Sequence, residues 1–179
     1  MRQVHYSVAM SLDGYIAGPN GEFDWIVMDP GIDFAEHAAR FDTCLVGRKS
    51  FEAMRRMGGA SPAQSGARDI VFSRSLDPAD HPRIALENDA VRVVRELREQ
   101  PGKDICLFGG GELFRSLLAA GLVDRVGVGI IPVLLGGGIP LLPSPAGRAT
   151  LKLLSHRVYE KTGTVGLEYE VVRFREAAG

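Results

Sequence analysis

The sequence predicts a single three-layer α/β domain with a mostly parallel central sheet and an antiparallel C-terminal hairpin. Three observations carry that expectation. Short apolar runs alternate with helix-spaced patterns from Val4 to Val133, the order that builds βαβ units. The last stretch changes to two long runs joined at Lys161-Thr162-Gly163, with clear alternation in Leu167-Glu168-Tyr169-Glu170-Val171. The 179 residues suit one domain and can bury a proper core, and no repeat, low-complexity stretch or linker divides them.

Each element follows from its own pattern. Val4 to Met10 reads as a buried strand of small and apolar residues. It runs into Ser11-Leu12-Asp13-Gly14-Tyr15-Ile16-Ala17-Gly18-Pro19-Asn20-Gly21, a loop rich in turn formers. Asp33 to Phe41 has helical spacing, with Phe34, Ala38 and Phe41 on one side. Thr43 to Val46 is a short strand ended by Gly47. Lys49 to Met57 reads as a helix stopped by Gly58-Gly59. Ser61 to Ala67 is a loop, and Asp69 to Phe72 and Arg83 to Leu86 are strands. Asp89 to Gln100 places Val91, Val94, Leu97 and Arg98 on one helical face, and Pro101-Gly102 terminates it. Lys103 to Phe108 is a strand, Glu112 to Ala120 a helix, Asp124 to Val133 a strand and Pro143 to Gly147 a loop. Leu151 to Tyr159 and Thr164 to Phe174 form the hairpin.

Composition excludes several classes. A net charge of −1 gives no basic surface for nucleic acid and no acidic tail. Apolar residues at 45% and charged residues at 24% are ordinary for a soluble globular protein. No run approaches the roughly 18 uninterrupted apolar residues of a membrane span. The chain opens directly into a strand-like segment without a signal-peptide core, so a cytoplasmic location is expected. Cys44 and Cys106 lie in apolar runs with no CxxC or Cys/His cluster, so no metal is expected. His5, His37, His81 and His156 show no pairing with Ser or Cys, which leaves a nucleophilic triad without support.

Two glycine triplets stand against apolar strands. The first, Phe108-Gly109-Gly110-Gly111-Glu112-Leu113, joins a strand to a helix. Residues without Cβ let a pyrophosphate approach backbone N–H groups, and the dipole of the following helix favours the anion. The same pattern also describes a tight turn with no ligand. Neither a Walker loop nor the dinucleotide fingerprint matches it. The second triplet ends Ile131-Pro132-Val133-Leu134-Leu135-Gly136-Gly137-Gly138. Elsewhere Leu45-Val46-Gly47-Arg48-Lys49-Ser50-Phe51-Glu52 puts two cations in the first turn of a helix. Cations there oppose the macrodipole, which a bound anion would offset; a solvated pair is the plain alternative. Phe72-Ser73-Arg74 is a third strand end with a hydroxyl and a guanidinium. Such groups at three strand ends are what ligand binding at the carboxyl edge of a parallel sheet requires.

Taken with Met10-Ser11-Leu12-Asp13-Gly14-Tyr15-Ile16-Ala17, these motifs arrive in one order across residues 2–175. In that order the chain resembles the dihydrofolate-reductase-like superfamily. Within it, the chain is most similar to the reductase domain at the C-terminal end of bacterial riboflavin-biosynthesis deaminase–reductases. The resemblance implies a three-layer dihydrofolate-reductase-like fold and NADPH as cofactor. It implies that Gly47, Arg48, Lys49 and Ser50 hold the adenosine 2′-phosphate and the pyrophosphate. Phe72, Ser73 and Arg74 match a second contact to the adenosine phosphate. Phe108 and the loop Gly109, Gly110, Gly111, Glu112 and Leu113 match the cover of the pyrophosphate, and Ala9, Ile16 and Ala17 the surroundings of the nicotinamide. Arg48 and Arg74 can grip a dianion by charge-assisted hydrogen bonds.

On the substrate side, the resemblance offers Asp33 as the carboxylate that polarises a heterocycle, with Asp29 second; an acid favoured by the helix dipole is the alternative for Asp33. The glutamate-clamping arginine of true dihydrofolate reductases falls near Ala67 or Arg68, and Gly129 replaces a strand threonine. Phe23 and Trp25 could stack on a flat ring or fill the core. No His-x-Glu with Pro-Cys-x-x-Cys occurs, so a stand-alone reductase is expected, acting on a small-molecule substrate of the ribosylaminopyrimidine type. Dihydrofolate reduction, or nucleotide binding without catalysis, are the rival readings. Val126 to Leu142 contains no charged residue. With Pro132 to Leu142 expected as an apolar surface loop beside the C-terminal hairpin, a symmetric homodimer is expected.

Overall fold

A computed structural model describes residues 1–56, 66–81 and 84–172. The first strand, β1 (Val4–Ser11), is followed by the short β2 (Tyr15–Ala17). Helix α1 (Phe34–Ala39) leads to β3 (Phe41–Gly47), and α2 (Arg48–Arg56) to β4 (Arg68–Phe72) and β5 (Ala85–Glu87). Helix α3 (Ala90–Glu99), β6 (Asp104–Gly109), α4 (Gly111–Ala119) and β7 (Arg125–Ile131) come next. A two-residue strand, β8 (Ile139–Pro140), precedes the hairpin of β9 (Thr150–Tyr159) and β10 (Thr164–Val172).

Eight of these strands form one sheet in the order β5-β4-β3-β6-β1-β7-β10-β9, while β2 and β8 pair separately. Every pairing from β5 to β7 is parallel, and the two pairings made by β10 are antiparallel. The predicted architecture is therefore the observed one. Interior parallel strands are covered on both faces, and so alternate between two apolar environments rather than between core and water. Leu45, Ile70, Ile105 and Leu107 face Val94, Leu97, Phe114 and Leu117 of α3 and α4. Tyr6 stacks on Phe114 there, with ring centroids 4.1 Å apart. Cys44, Val46 and Val71 face Phe51 of α2 on the other side. Cys44 and Cys106 are register partners on β3 and β6. Both are free thiols, and the Cys106 neighbour together with burial pushes the Cys44 thiol up.

Helix ends are set by side chains. The Asp33 carboxylate accepts the Glu36 N–H at 2.8 Å and caps α1, and Asp89 accepts the Arg92 N–H at 3.0 Å and caps α3. Capping shortens the predicted α1, because Asp33 stands outside it and Phe41 already belongs to β3. Other predicted boundaries agree within one or two residues. Met57, Gly58-Gly59, most of the Ser61–Ala67 loop, Arg83 and Phe174 lie outside the described residues.

The apolar stretch after β7 departs from expectation. It folds back on its own subunit instead of standing out as a surface loop. Ile139 and Pro140 pair with β2, and Leu141 and Leu142 pack against the main core. The apolar character of Pro132 to Leu142 is thus partly spent within the chain: its residues are half-buried or exposed, with Leu134 69% exposed.

Candidate active site

Strand order fixes where a ligand can enter. β3 leads through α2 to β4 on one side, while β6 leads through α4 past β1 to β7 on the other. β3 and β6 are neighbours whose connections diverge, and their carboxyl ends form the switch point at which open α/β sheets place a ligand crevice. The Gly47–Ser50 segment forms one lip and the Gly109–Gly111 turn the other.

The two lips touch. A Cβ at Gly47 would stand 3.3 Å from both Gly109 O and Gly110 N, and one at Gly110 would stand 3.1 Å from Ser50 Oγ. Side chains at these glycines would crowd the space where backbone amides and the Ser50 hydroxyl converge. A bulge shapes the turn. Leu45 pairs with Leu107 and Val46 with Gly109, so Phe108 is skipped and stands 39% exposed. Gly109 adopts φ +131°, a conformation that favours glycine, whereas Gly110 at φ −85° is open to any residue. The Gly109–Gly110 peptide bond is cis. Gly110 caps α4 without a side-chain hydrogen bond, so no side chain at the cap satisfies the first-turn N–H groups. Gly111 is buried under Pro143 and the Pro140 carbonyl.

The cations differ in their freedom. Arg48 Nη1 donates to Glu52 Oε1 at 3.0 Å, one helical turn on. Lys49 and Arg74 are exposed and make no ion pair among the described residues. Ser73 Oγ accepts the N–H groups of Ser75 and Leu76, at 3.1 and 3.0 Å, and among the described residues its own O–H has no acceptor. Phe72 packs against the core. Glu112 turns its carboxylate to Arg115, and Leu113 is buried in the core, so neither side chain faces the crevice.

The residues that the resemblance matched to the surroundings of a nicotinamide lie beyond β6. Ala9 is a register partner of Gly129 on β7, and Ile16 and Ala17 are half-buried in β2. Sequence reading left one connection unseen: Asp13 reaches across 122 positions to the amide of Leu135. The Ser11-x-Asp13-Gly14 motif carried the signal, but turn chemistry alone does not say which amides a carboxylate will find. Of the two acids near α1, Asp33 is exposed, and one of its oxygens is engaged as the cap. Asp29 is only 4% exposed. It accepts from Gly31 N at 2.8 Å, Thr162 N at 3.1 Å and Thr162 Oγ1 at 3.0 Å. Those bonds, led by the Gly31 amide, hold its carboxyl below the usual range. Asp29 ties the approach to α1 to the β9–β10 turn.

The residues present fit a dinucleotide. Three strand ends supply cations, a hydroxyl and unoccupied amides around a glycine-lined gap, and no helix among the described residues is long and apolar enough to cross a membrane. Comparison with known proteins agrees with the fold and extends it. The family described as RibD C-terminal domain matches residues 2–164. An uncharacterized protein of Bacillus subtilis (strain 168), YyaP, is 34% identical over 178 residues, covering 94% of each chain. Among solved structures, a Shewanella sp. PV-4 protein provisionally described as a riboflavin biosynthesis protein superposes with TM-score 0.81 at 22% identity, covering 96% of this chain and 99% of that one. The diaminohydroxyphosphoribosylaminopyrimidine deaminase/5-amino-6-(5-phosphoribosylamino)uracil reductase of Thermotoga maritima superposes with TM-score 0.71 at 19% identity. That match covers 96% of this chain but 57% of the Thermotoga protein, so this chain spans little more than half of it. By its sequence and by the architecture of its sheet, the chain belongs to the RibD C-terminal domain family.

Proposed function

We propose that the protein is an NADPH-dependent reductase that delivers hydride to a small heterocyclic substrate of the 5-amino-6-(5-phosphoribosylamino)uracil type. The observation that carries the reading is the meeting of Ser50 with the Gly109–Gly110 turn at the β3/β6 crevice. Family membership supports the same reaction class. The bound nicotinamide supplies the hydride chemistry. The chain's own groups bind and orient. Arg48, Lys49 and Arg74 take the adenosine 2′-phosphate, with Ser73 donating its hydroxyl. Gly47, Ser50 and the amides of Gly110, Gly111, Glu112 and Leu113 take the pyrophosphate at the α4 N-terminus. Ala9, Ile16 and Ala17 give the nicotinamide an apolar seat that excludes water. On the substrate side, Asp33 is the carboxylate assigned to orient the heterocycle, through the oxygen that does not cap α1.

Titration with NADPH, then a substrate panel followed by loss of nicotinamide absorbance, tests the assignment. Turnover of the ribosylaminouracil supports it, turnover of dihydrofolate replaces it with the folate reading, and binding without turnover of any substrate replaces it with a nucleotide-binding role.

The protein acts as a symmetric homodimer in this reading. Every residue of β9 except Tyr159 is exposed, and β9 is the edge of the sheet. Leu151, Leu153, Leu154 and Val158 are 41%, 49%, 40% and 58% exposed. A ten-residue edge with that much apolar surface calls for a cover, and a second copy supplies one.

A further inference from the structure

The second glycine triplet resembles an anion loop, yet the amides of Gly136 and of the preceding Leu135 already hold a carboxylate from within the chain. Leu135 N donates to both oxygens of Asp13 at 3.1 Å, and Gly136 N donates to Oδ2 at 2.7 Å. Ser11 Oγ donates to Asp13 Oδ1 at 2.6 Å while accepting the Tyr15 N–H at 2.9 Å. Ser11 is fully buried, so this hydroxyl is a fixed post. The carboxyl is held below its usual range, first by that hydroxyl and then by the two amides.

What Asp13 fastens is a strap that runs from the Tyr15–Ala17 strand to the first turn of α4. The strap starts where Leu12 N donates to Val133 O at 2.9 Å, and Leu141 N donates to Gly14 O at 3.0 Å further along. Between them, Gly138 lies so close to the Ala17 carbonyl that a Cβ would stand 2.2 Å from its oxygen. Beyond them, Pro143 lies where a Gly111 Cβ would stand 2.9 Å from its ring, and Arg115 Nη1 donates to Pro145 O at 3.0 Å. One end of the strap rests on the Tyr15–Ala17 strand and the other on the first turn of α4. These are the two places assigned above to the nicotinamide and the pyrophosphate. The Asp13 clip lies at the nicotinamide end.

We propose that Asp13 is a positioning residue for hydride transfer: by clamping the 133–143 strap, it holds the Tyr15–Ala17 strand at a fixed distance from the Gly109–Gly111 turn. This rests on the NADPH reading. A dinucleotide spans both places, so a loose strap costs orientation at the reacting end more than affinity at the adenosine end. Misplacement by about 1 Å at a reacting centre costs on the order of a hundredfold in rate.

The test uses the intact chain with D13A and D13N. Three readouts are taken: affinity for adenosine 2′,5′-bisphosphate, which lacks the nicotinamide; affinity for NADPH; and kcat with 5-amino-6-(5-phosphoribosylamino)uracil. Amide hydrogen exchange at Leu135 and Gly136 reports the clip itself. For D13A, exchange at both amides accelerates at least tenfold, the bisphosphate binds within twofold of wild type, and kcat falls about tenfold to a hundredfold. D13N recovers part of kcat, because its carbonyl oxygen still accepts one strap amide. Accelerated exchange with unchanged kcat overturns the proposal. Equal loss for the bisphosphate and NADPH also overturns it, since that pattern marks a general structural role. If D13A does not fold, D13N decides alone, with partial loss of kcat expected and full activity overturning the idea. A wild-type protein that binds neither nucleotide fails the NADPH reading instead, and exchange at Leu135 and Gly136 shows whether the clip survives that failure.

Discussion

Replacing Arg48 with alanine weakens NADPH and leaves NADH nearly untouched. Two partners compete for this guanidinium. Glu52 lies 3.0 Å from Nη1, with the two side chains 42% and 36% exposed. A half-exposed pair one turn apart on a helix contributes about 0.3–0.5 kcal/mol. A charge-assisted hydrogen bond to a phosphate dianion contributes about 1.5–3 kcal/mol. The phosphate wins by about 1–2.7 kcal/mol, which is ~5- to 100-fold in affinity. Glu52→Gln removes the competitor and tightens NADPH by about twofold. The pair is also a minor part of stability, so Arg48→Ala lowers Tm by no more than about 2 °C. Fluorescence titration with each cofactor reads the affinities, and thermal unfolding reads the stability. Equal weakening of NADPH and NADH refutes the assignment of Arg48 to the 2′-phosphate.

Three further outcomes are expected. Gly110→Val folds, because φ −85° suits any residue, but its side chain meets Ser50 Oγ and fills the gap between the lips; circular dichroism with NADPH titration checks it, and normal affinity in a folded variant removes the turn from the site. His5 is 3% exposed, and burial is the main cause of a pKa below the ordinary 6.5, with Arg40 and Arg125 acting in the same direction against Asp104 and Glu168. Its folded pKa is depressed, so the unfolded state binds more protons between that pKa and the ordinary 6.5. Stability is therefore full above pH 6.5 and is lost as pH falls through the folded pKa. Denaturant midpoints from pH 8 to 5 follow this, and His5→Gln flattens the slope, although the similarly depressed His37 keeps part of it. Sedimentation at micromolar concentration gives a dimer that Leu153→Glu dissociates; a single wild-type species near 19.3 kDa removes the β9 interface.

The fold was legible because strand and helix periods differ, and because the chain alternates them cleanly up to Val133. What escaped was short and long-range. β2 has three residues and β8 two, too few for any period to register. Their pairing is made by contacts across more than a hundred positions, and the backbone proximity of Gly138 to Ala17 leaves no mark on either residue type. The start of α1 shows the opposite limit. Asp33 fits the pattern of a helix-borne carboxylate, and a carboxylate just before a helix also fits the pattern of a cap; the structure shows one oxygen capping α1 and leaves the other for the proposed role.

The two glycine triplets carry this further. In sequence they are alike, each a run of three glycines following an apolar strand. In space they act in opposite senses. Gly109–Gly111 opens α4 without a side-chain cap, and the Ser50 hydroxyl stands beside it. In the second triplet Gly136 spends its amide on Asp13, and Gly138 lies against Ala17. Glycine permits close approach, and it does not specify what approaches. The discriminating residue is a carboxylate. An acid within reach turns a glycine loop into a fastening, and the pyrophosphate site proposed at the first triplet requires that no carboxylate holds its amides from within the chain. Glu112 is the only acid in that turn, and it is turned away by Arg115 at an N–O distance of 2.5 Å. Arg115→Ala therefore frees a negative charge beside the assigned pyrophosphate site. NADPH affinity falls without any loss of a direct contact, and Glu112→Gln in the same chain restores it. Failure of that restoration means that Arg115 acts through Pro145 and the strap rather than through charge.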